Sequence, residues 1–230
     1  MFNAKHTSMQ ALIVGAFDGI GQDFARMAAL KGKQLIMVDS DENSLIQSRQ
    51  LLMPSFPDTS FKIISEELSG FDSADNIFES VLFTQAFSEN VESIGMLINI
   101  LEFQLPFEDI ADFQEEEFGK HLDFLTLSEL TELFATEMLR HGQGEILNVL
   151  TGPENMHDWA LDHYKSTERM LMTFSKSLNN KVSKKGVSIH ALSYSGSGLV
   201  FLSPDATAAP GQAPSSYSMD YVQELLTAMS

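Results

Sequence analysis

The chain has no cysteine, few basic residues and no hydrophobic run long enough to cross a membrane. The absence of cysteine excludes disulfide bonds and thiolate metal ligands, and it leaves the redox compartment open. Residues 1–7 are polar and contain no apolar segment of the kind that a signal peptide carries. We therefore expect a soluble, cytoplasmic protein.

The scarcity of basic residues bears on the choice of partners. Lysine and arginine number 14 against 32 aspartates and glutamates, so the formal net charge is −18. A surface of this charge repels nucleic acid and anionic membranes, so we expect neither as a partner. No linker rich in Pro, Gly and Ser divides the interior of the chain, and its 230 residues can bury one hydrophobic core. We expect one dinucleotide-binding domain over residues 1–230.

The most informative stretch lies near the start of the chain. Four apolar residues, 11–14, lead into three glycines with the spacing G-x-x-x-G-x-G, and a helical pattern follows. This order is typical of the first βαβ unit of a dinucleotide-binding fold, where the helix N-terminus attracts the pyrophosphate. In this interpretation Gly15 permits the sharp turn, Gly19 the close approach of the pyrophosphate and Gly21 the packing of helix on sheet.

The same loop contains Phe17, Asp18 and Ile20, which we expect at the cofactor site. A carboxylate at Asp18 repels a pyrophosphate unless it points to solvent or accepts a backbone N–H. A second predicted strand, residues 34–38, ends on Asp39, 20 residues after the second loop glycine. A carboxylate there can accept both hydroxyls of an adenosine ribose and repels a 2′-phosphate. The sequence therefore predicts NAD rather than NADP; the alternative is a fold motif that no longer binds a nucleotide.

Strand and helix patterns alternate along the rest of the chain. Further strands are predicted at residues 61–64, 94–100, 145–150 and 187–192, and further helices at residues 42–53, 72–87, 114–140, 157–182 and 219–229. Residues 203–216, rich in Pro, Ala, Gly and Ser, predict a mobile loop. The alternation predicts an α/β fold, a Rossmann-like doubly wound parallel sheet of about six strands with helices on both faces.

The glycine loop, the acid that ends the second strand and the segment around Tyr164 resemble the short-chain dehydrogenase/reductase family over about residues 11–196. The resemblance implies NAD(P) as cofactor and oxidoreductase chemistry at an Asn, a Ser and a Tyr-x-x-x-Lys pair. It also implies that Glu67 and Leu68 lie at the adenine. Asn99 is similar to the start of the family's Asn-Asn-Ala-Gly stretch and is implied to lie at the cofactor.

The family's catalytic set is only partly present. Tyr164 matches the tyrosine, and Thr151, thirteen residues earlier, supplies a hydroxyl where the serine is expected. Glu168 replaces the lysine, and Leu125 stands near the place of the asparagine. A lysine lowers the pKa of a neighbouring tyrosine, whereas an ionised glutamate raises it. Glu168 can still accept a hydrogen bond from a nicotinamide ribose, so the candidate catalytic residues are Tyr164, Thr151 and Glu168.

Three functions remain open on this evidence. The first is an NAD-dependent oxidoreductase that acts on an unknown carbonyl or alcohol through Tyr164 and Thr151. The second is a catalytically silent relative that senses the cofactor or binds a partner. The third is a lyase or isomerase that uses Tyr164 and Glu168 as acid and base. We expect no metal site, because the His and Asp residues before Tyr164 fit a solvated helix start.

The two long predicted helices, 114–140 and 157–182, carry more apolar residues than one buried stripe requires. One face of each should cover the sheet, and we expect the other to form a homodimer. The apolar residues are Phe118, Leu122, Leu125, Leu127, Leu130, Leu133, Phe134 and Met138 on the first helix, and Met170, Leu171, Met172, Phe174 and Leu178 on the second.

Overall fold

The computed structural model describes residues 9–15, 17, 19–86, 93–103, 122–152, 158–195 and 198–202. Its strands are β1 (Gln10–Val14), β2 (Leu35–Asp39), β3 (Phe61–Ser65), β4 (Ile94–Glu102), β5 (Gly144–Thr151), β6 (Val187–Ser195) and β7 (Gly198–Phe201). Its α-helices are α1 (Ile20–Leu30), α2 (Glu42–Leu52), α3 (Ser73–Ala86), α4 (Phe124–His141) and α5 (Asp158–Val182). The predicted loop at 203–216 and helix at 219–229 lie outside the described residues.

The described strands form one sheet in the order β3-β2-β1-β4-β5-β6-β7. Strands β1 to β6 pair in parallel. The predicted α/β fold, a Rossmann-like parallel sheet of six strands, is thus confirmed. Strand β7 pairs antiparallel with β6 and has no counterpart among the predicted strands. The apolar run at this place, residues 199–202, has only four residues, the lower length limit for a strand.

Helices cover both faces of the sheet, as predicted. Leu12 and Val14 of β1 belong to a hydrophobic cluster with α3, α4 and α5, while Ala11 and Ile13 belong to a second cluster with α1 and α2. Consecutive residues of one strand therefore enter opposite cores, which explains the continuous apolar run in β1. The carboxyl ends of β1 and β4, where the strand order reverses, mark the edge at which such folds bind ligands.

Helix α4 begins later than the pattern of residues 114–140 predicts. Asp123 has an extended backbone, and its Oδ1 accepts the N–H of Thr126 at 2.7 Å, so it is the N-cap. Gly142, with φ +72°, ends the helix in the left-handed conformation that glycine favours. The acidic residues 115–117 lie outside the described residues. Helix α5 begins at Asp158, one residue after the predicted start.

Most of the apolar residues of α4 and α5 pack within the subunit. Leu127, Leu130 and Phe134 are buried beneath α4. Leu125 and Met170 remain 48% and 44% exposed, respectively. The apolar surplus on these helices is therefore smaller than the sequence indicates, and the homodimer remains a prediction. Phe118 lies outside the described residues. No helix in the described part of the chain is long and apolar enough to cross a membrane.

Candidate functional site

The turn after β1 requires glycine. Gly15 has φ +90°, and its N–H donates to the carbonyl of Val38 on β2 at 2.9 Å. A β-carbon on Gly15 would lie 2.9 Å from the carbonyl oxygen of Ile100 on β4. Any other residue would therefore meet both backbone strain and a clash. The chain turns here, where β1 lies between β2 and β4.

The middle of the glycine loop is held by side chains from two other elements. Phe17 is buried between the sheet and helices α1 and α2, and its N–H donates to Oδ2 of Asp39 at 3.2 Å. Its carbonyl accepts the hydroxyl of Ser48 on α2 at 3.1 Å. Gln22 of α1 in turn donates to the Ser48 hydroxyl at 3.3 Å. The loop conformation is thus set from within the protein.

Asp39 joins this loop to the end of β2. The carboxylate is buried, with Oδ1 accepting the N–H of Asp41 at 3.0 Å and Oδ2 that of Phe17. Each carboxylate oxygen can accept more than one hydrogen bond. The backbone therefore orients the carboxylate of Asp39 at the end of β2, and its contact with the ribose hydroxyls stays a prediction.

The N-terminus of α1 begins at Gly19. This residue is the N-cap and is exposed, and within the described residues other than its chain neighbours no atom lies within 4 Å of where its β-carbon would be. Ile20 and Gly21 are buried, so the first turn of the helix is anchored on the sheet. The backbone N–H groups of such a helix N-terminus attract a pyrophosphate. Asp18 lies outside the described residues.

The predicted adenine residues follow β3. Glu67 is exposed, whereas Leu68 is buried in the core on the α3 side of the sheet. The N–H of the preceding residue, Glu66, donates to the carbonyl of Asp39 at 3.1 Å. This bond keeps the segment beside the predicted ribose acceptor.

Asn99 lies in a polar network inside the core. Its Nδ2 donates to Asn148 of β5 at 3.1 Å and to Thr131 of α4 at 3.2 Å, and Asn148 donates to Ser175 of α5 at 3.1 Å. Asn99, Thr131, Asn148 and Ser175 are all buried. The structure therefore places the Asn99 side chain between the sheet and helices α4 and α5, where its described contacts hold these elements together.

Tyr164 points from α5 towards the end of β6. Its hydroxyl lies 2.7 Å from the hydroxyl of Ser193 and donates to the carbonyl of Tyr194 at 3.4 Å. Its ring packs edge to face on Phe103, with the ring centroids 5.2 Å apart. Thr151, the predicted partner, ends β5 in register with Tyr194, and its carbonyl accepts the N–H of Phe103. The described hydroxyl partner of Tyr164 is thus Ser193.

The surroundings of Tyr164 stabilise its neutral phenol. Burial, the largest cause, raises the pKa of Tyr164 to about 12. The hydrogen bond from Ser193 opposes this rise, and the negative charge of Glu168 adds to it. Glu168 is half-buried one turn further along α5, and Leu125 is on the exposed side of α4. Glu168 thus raises the pKa of Tyr164, as predicted, although its effect is smaller than that of burial.

Sequence reasoning missed two residues of this site, Ser193 and Phe103. Ser193 is one of many serines, and only the pairing of β6 with β5 shows which of them reaches α5. Phe103 comes just after β4, beyond the predicted end of that strand at residue 100. In the described part of the chain, no three His, Asp or Glu side chains converge as metal ligands would.

Comparison with known proteins identifies the fold and its lineage. Residues 9–196 match the family described as short chain dehydrogenase. The chain belongs to the short-chain dehydrogenase family. The match includes the glycine loop, Asp39, Thr151 and Tyr164, and it places the chain in a family of oxidoreductases.

Several curated short-chain dehydrogenases are distant relatives. Very-long-chain 3-oxoacyl-CoA reductase-B of Danio rerio is 23% identical over 192 residues, which cover 84% of this chain and 60% of that protein. 17-beta-hydroxysteroid dehydrogenase type 3 of Rattus norvegicus is 25% identical over 186 residues, or 79% of this chain and 58% of that protein. The chain spans about three fifths of the length of these relatives.

Solved short-chain dehydrogenases share the fold at low identity. The bulky-bulky ketone specific alcohol dehydrogenase from Comamonas testosteroni has a TM-score of 0.70 at 18% identity, covering 97% of this chain and 84% of that chain. NAD+-bound xylitol dehydrogenase has a TM-score of 0.62 at 14% identity, with 83% and 72% covered. A short-chain dehydrogenase from Sphingobium yanoikuyae in complex with NADPH has a TM-score of 0.64 at 18% identity, with 96% and 83% covered. The xylitol dehydrogenase structure contains NAD+, and the Sphingobium yanoikuyae structure contains NADPH.

Proposed function

We propose that this short-chain dehydrogenase reduces a ketone with NADH, and that Tyr164 delivers the proton. The observation that carries the proposal is the hydrogen bond from the N–H of Phe17 to Asp39. This bond joins the loop that would hold the pyrophosphate to the carboxylate that would accept the ribose hydroxyls. The cofactor, when bound, supplies the hydride.

Asp39 supports NAD as the preferred cofactor. The carboxylate is buried at the end of β2, and two backbone N–H groups orient it. A 2′-phosphate in the same place would meet a negative charge that cannot easily turn away. The overall charge of −18 adds to the repulsion of the more highly charged NADP.

The pKa of Tyr164 favours reduction over oxidation. Because burial raises the pKa of Tyr164 to about 12, almost all Tyr164 is the neutral phenol at pH 7. A ketone that gains a hydride becomes an alkoxide, which is a stronger base than a phenolate and takes the phenol proton readily. Alcohol oxidation needs the phenolate as base and is therefore much slower at neutral pH. Thr151, at the end of β5, is the residue we propose to orient the carbonyl oxygen.

The names of the relatives support a ketone as substrate. A 3-oxoacyl-CoA reductase, a 17-beta-hydroxysteroid dehydrogenase and a bulky-bulky ketone specific alcohol dehydrogenase are similar to this chain. Substrates suggested by these names share a carbonyl or hydroxyl carbon between two carbon groups. We therefore place ketones before aldehydes in this proposal.

Calorimetric titration and a rate assay together test this function. We expect NADH to bind more tightly than NADPH, and we expect wild type to oxidise NADH in the presence of bulky ketones. Tyr164→Phe should keep NADH binding and lose the reaction. Equal activity of Tyr164→Phe would remove Tyr164 from the mechanism, and failure to bind either nucleotide would refute the proposal.

A catalytically silent cofactor-binding protein is the second candidate. The specific observation in its favour is that the Tyr164 hydroxyl is buried and bonded to Ser193 rather than open to a substrate. Tight NADH binding without turnover on any ketone of the panel would favour this candidate.

A further inference from the structure

The position one helical turn along α5 from Tyr164 holds Glu168 and not a lysine, and the charge of Glu168 opposes the formation of a phenolate. After Tyr164 gives up its proton, it is a buried anion, and such an anion is costly unless a donor bonds to it. Some group must therefore supply that hydrogen bond in place of the missing lysine.

Ser193 is placed to supply it. It is buried at the end of β6, and its hydroxyl lies 2.7 Å from that of Tyr164, the usual distance for a good hydroxyl–hydroxyl bond. The bond from Tyr164 to the carbonyl of Tyr194 is much longer, at 3.4 Å, and correspondingly weaker. A phenol has one proton, so when Ser193 donates, the proton of Tyr164 points elsewhere and is only weakly held.

We propose that Ser193 is a positioning residue for the proton transfer, donating its hydroxyl hydrogen to the oxygen of Tyr164. In the neutral state this bond orients the phenol so that its proton can pass to the carbonyl oxygen of a substrate. After the transfer the same bond stabilises the phenolate until it takes a proton from solvent. The proposal rests on the proposed function, because it assigns Ser193 a role in that reaction.

Fluorine NMR measures the Ser193 bond without relying on turnover. Replacing all four tyrosines by 3-fluorotyrosine lowers each phenol pKa and brings the titration of Tyr164 into a range where the protein is folded. Tyr164→Phe identifies its signal. We expect Ser193→Ala to raise the pKa of Tyr164 and to lower kcat for ketone reduction about tenfold, with KM little changed. Ser193→Thr, which keeps the hydroxyl, should restore both.

Ser175→Ala is the matched control. Ser175 is also a buried hydroxyl bonded to one side chain, but that side chain is Asn148 and not Tyr164. This control should lose stability and leave the titration of Tyr164 unchanged. An unchanged pKa and kcat in folded Ser193→Ala would overturn the inference while leaving the proposed function intact. A wild-type protein that reduces no ketone would refute the proposed function, and a shifted Tyr164 signal in Ser193→Ala would then still establish the positioning bond.

Discussion

Replacing Glu168 by lysine should speed alcohol oxidation more than ketone reduction. Cβ atoms four residues apart on a helix are about 6 Å apart, and Glu168 is half-buried. At that distance and an effective dielectric constant of about 40, one unit charge is worth about 1.4 kcal/mol, or one pKa unit. Glu168→Gln should therefore lower the pKa of Tyr164 by up to about one unit, and Glu168→Lys by one to two. Burial, which is the larger cause of the raised pKa, remains in both variants.

The sign of the pH effect follows from which form of Tyr164 reacts. Oxidation uses the phenolate, whose fraction rises tenfold for each unit by which the pKa falls, so Glu168→Lys should raise the oxidation rate about 10- to 100-fold near pH 8. Reduction uses the neutral phenol, which already predominates, so its rate should rise only a few-fold. In wild type the oxidation rate should keep increasing with pH throughout the range in which the protein is folded, because the pKa of Tyr164 is raised, and at each pH in that range it should be higher in Glu168→Lys.

Initial rates with NAD and a secondary alcohol, measured across pH, test this prediction. Asp162→Lys is the matched control, since it makes the same charge change at an exposed position of α5 and should leave the profile unchanged. Adding Tyr164→Phe to Glu168→Lys should abolish the gain. A pH profile that does not move in Glu168→Lys would refute the electrostatic reasoning. An inactive Glu168→Lys beside an active wild type would instead give Glu168 a chemical role of its own, as in a lyase or isomerase.

Three further predictions concern the cofactor loop and the assembly. Asp39→Ala should weaken the binding of both nucleotides in calorimetry, and it should weaken NADH binding more than NADPH binding. Both are affected because the buried N–H of Phe17 loses its acceptor, which costs about 1–3 kcal/mol. Gly15→Ala should lower the free energy of urea unfolding by more than about 1–2 kcal/mol and abolish the thermal shift with NADH, because φ is +90° there. Light scattering at micromolar concentration should give a dimer that Leu125→Glu or Met170→Glu dissociates; a wild-type monomer would contradict the predicted interface.

The fold could be predicted because its signals are local. The buried strand and the glycine turn are contiguous in sequence, and Asp39 follows at the distance that one βαβ unit imposes. Each of these features depends on backbone conformation or on burial of both strand faces, which single-sequence patterns report well. Strand β7 was not predicted, because the four apolar residues 199–202 are at the lower length limit at which a run between turn residues indicates a strand.

The contacts inside the core depend on the register of the sheet, so they were harder to predict from the sequence than the fold. The pattern at residues 94–100 predicts a buried strand, and Asn99 within it resembles a cofactor residue. In the structure, Nδ2 of Asn99 donates to Asn148 of β5 and to Thr131 of α4 inside the core, while its buried Oδ1 has no hydrogen-bond partner in the described part of the chain. Sequence patterns do not reveal such contacts, because the partners come from a neighbouring strand and helix. The position of Asn99 at the cofactor stays a prediction.

The same reasoning explains why the sequence did not indicate Ser193 as the hydroxyl beside Tyr164. Spacing along the chain favours Thr151, which ends the strand before α5, and Ser193 is 29 residues after Tyr164. In the sheet, however, Leu150 pairs with Ser193 and Thr151 pairs with Tyr194, so Ser193 is level with the residue before Thr151. Ser193 also follows Ile189 and Ala191 on the face of β6 that meets α5, because alternate residues of a strand share a face. Its hydroxyl therefore lies beside the buried phenol, and Thr151 lies at the end of β5.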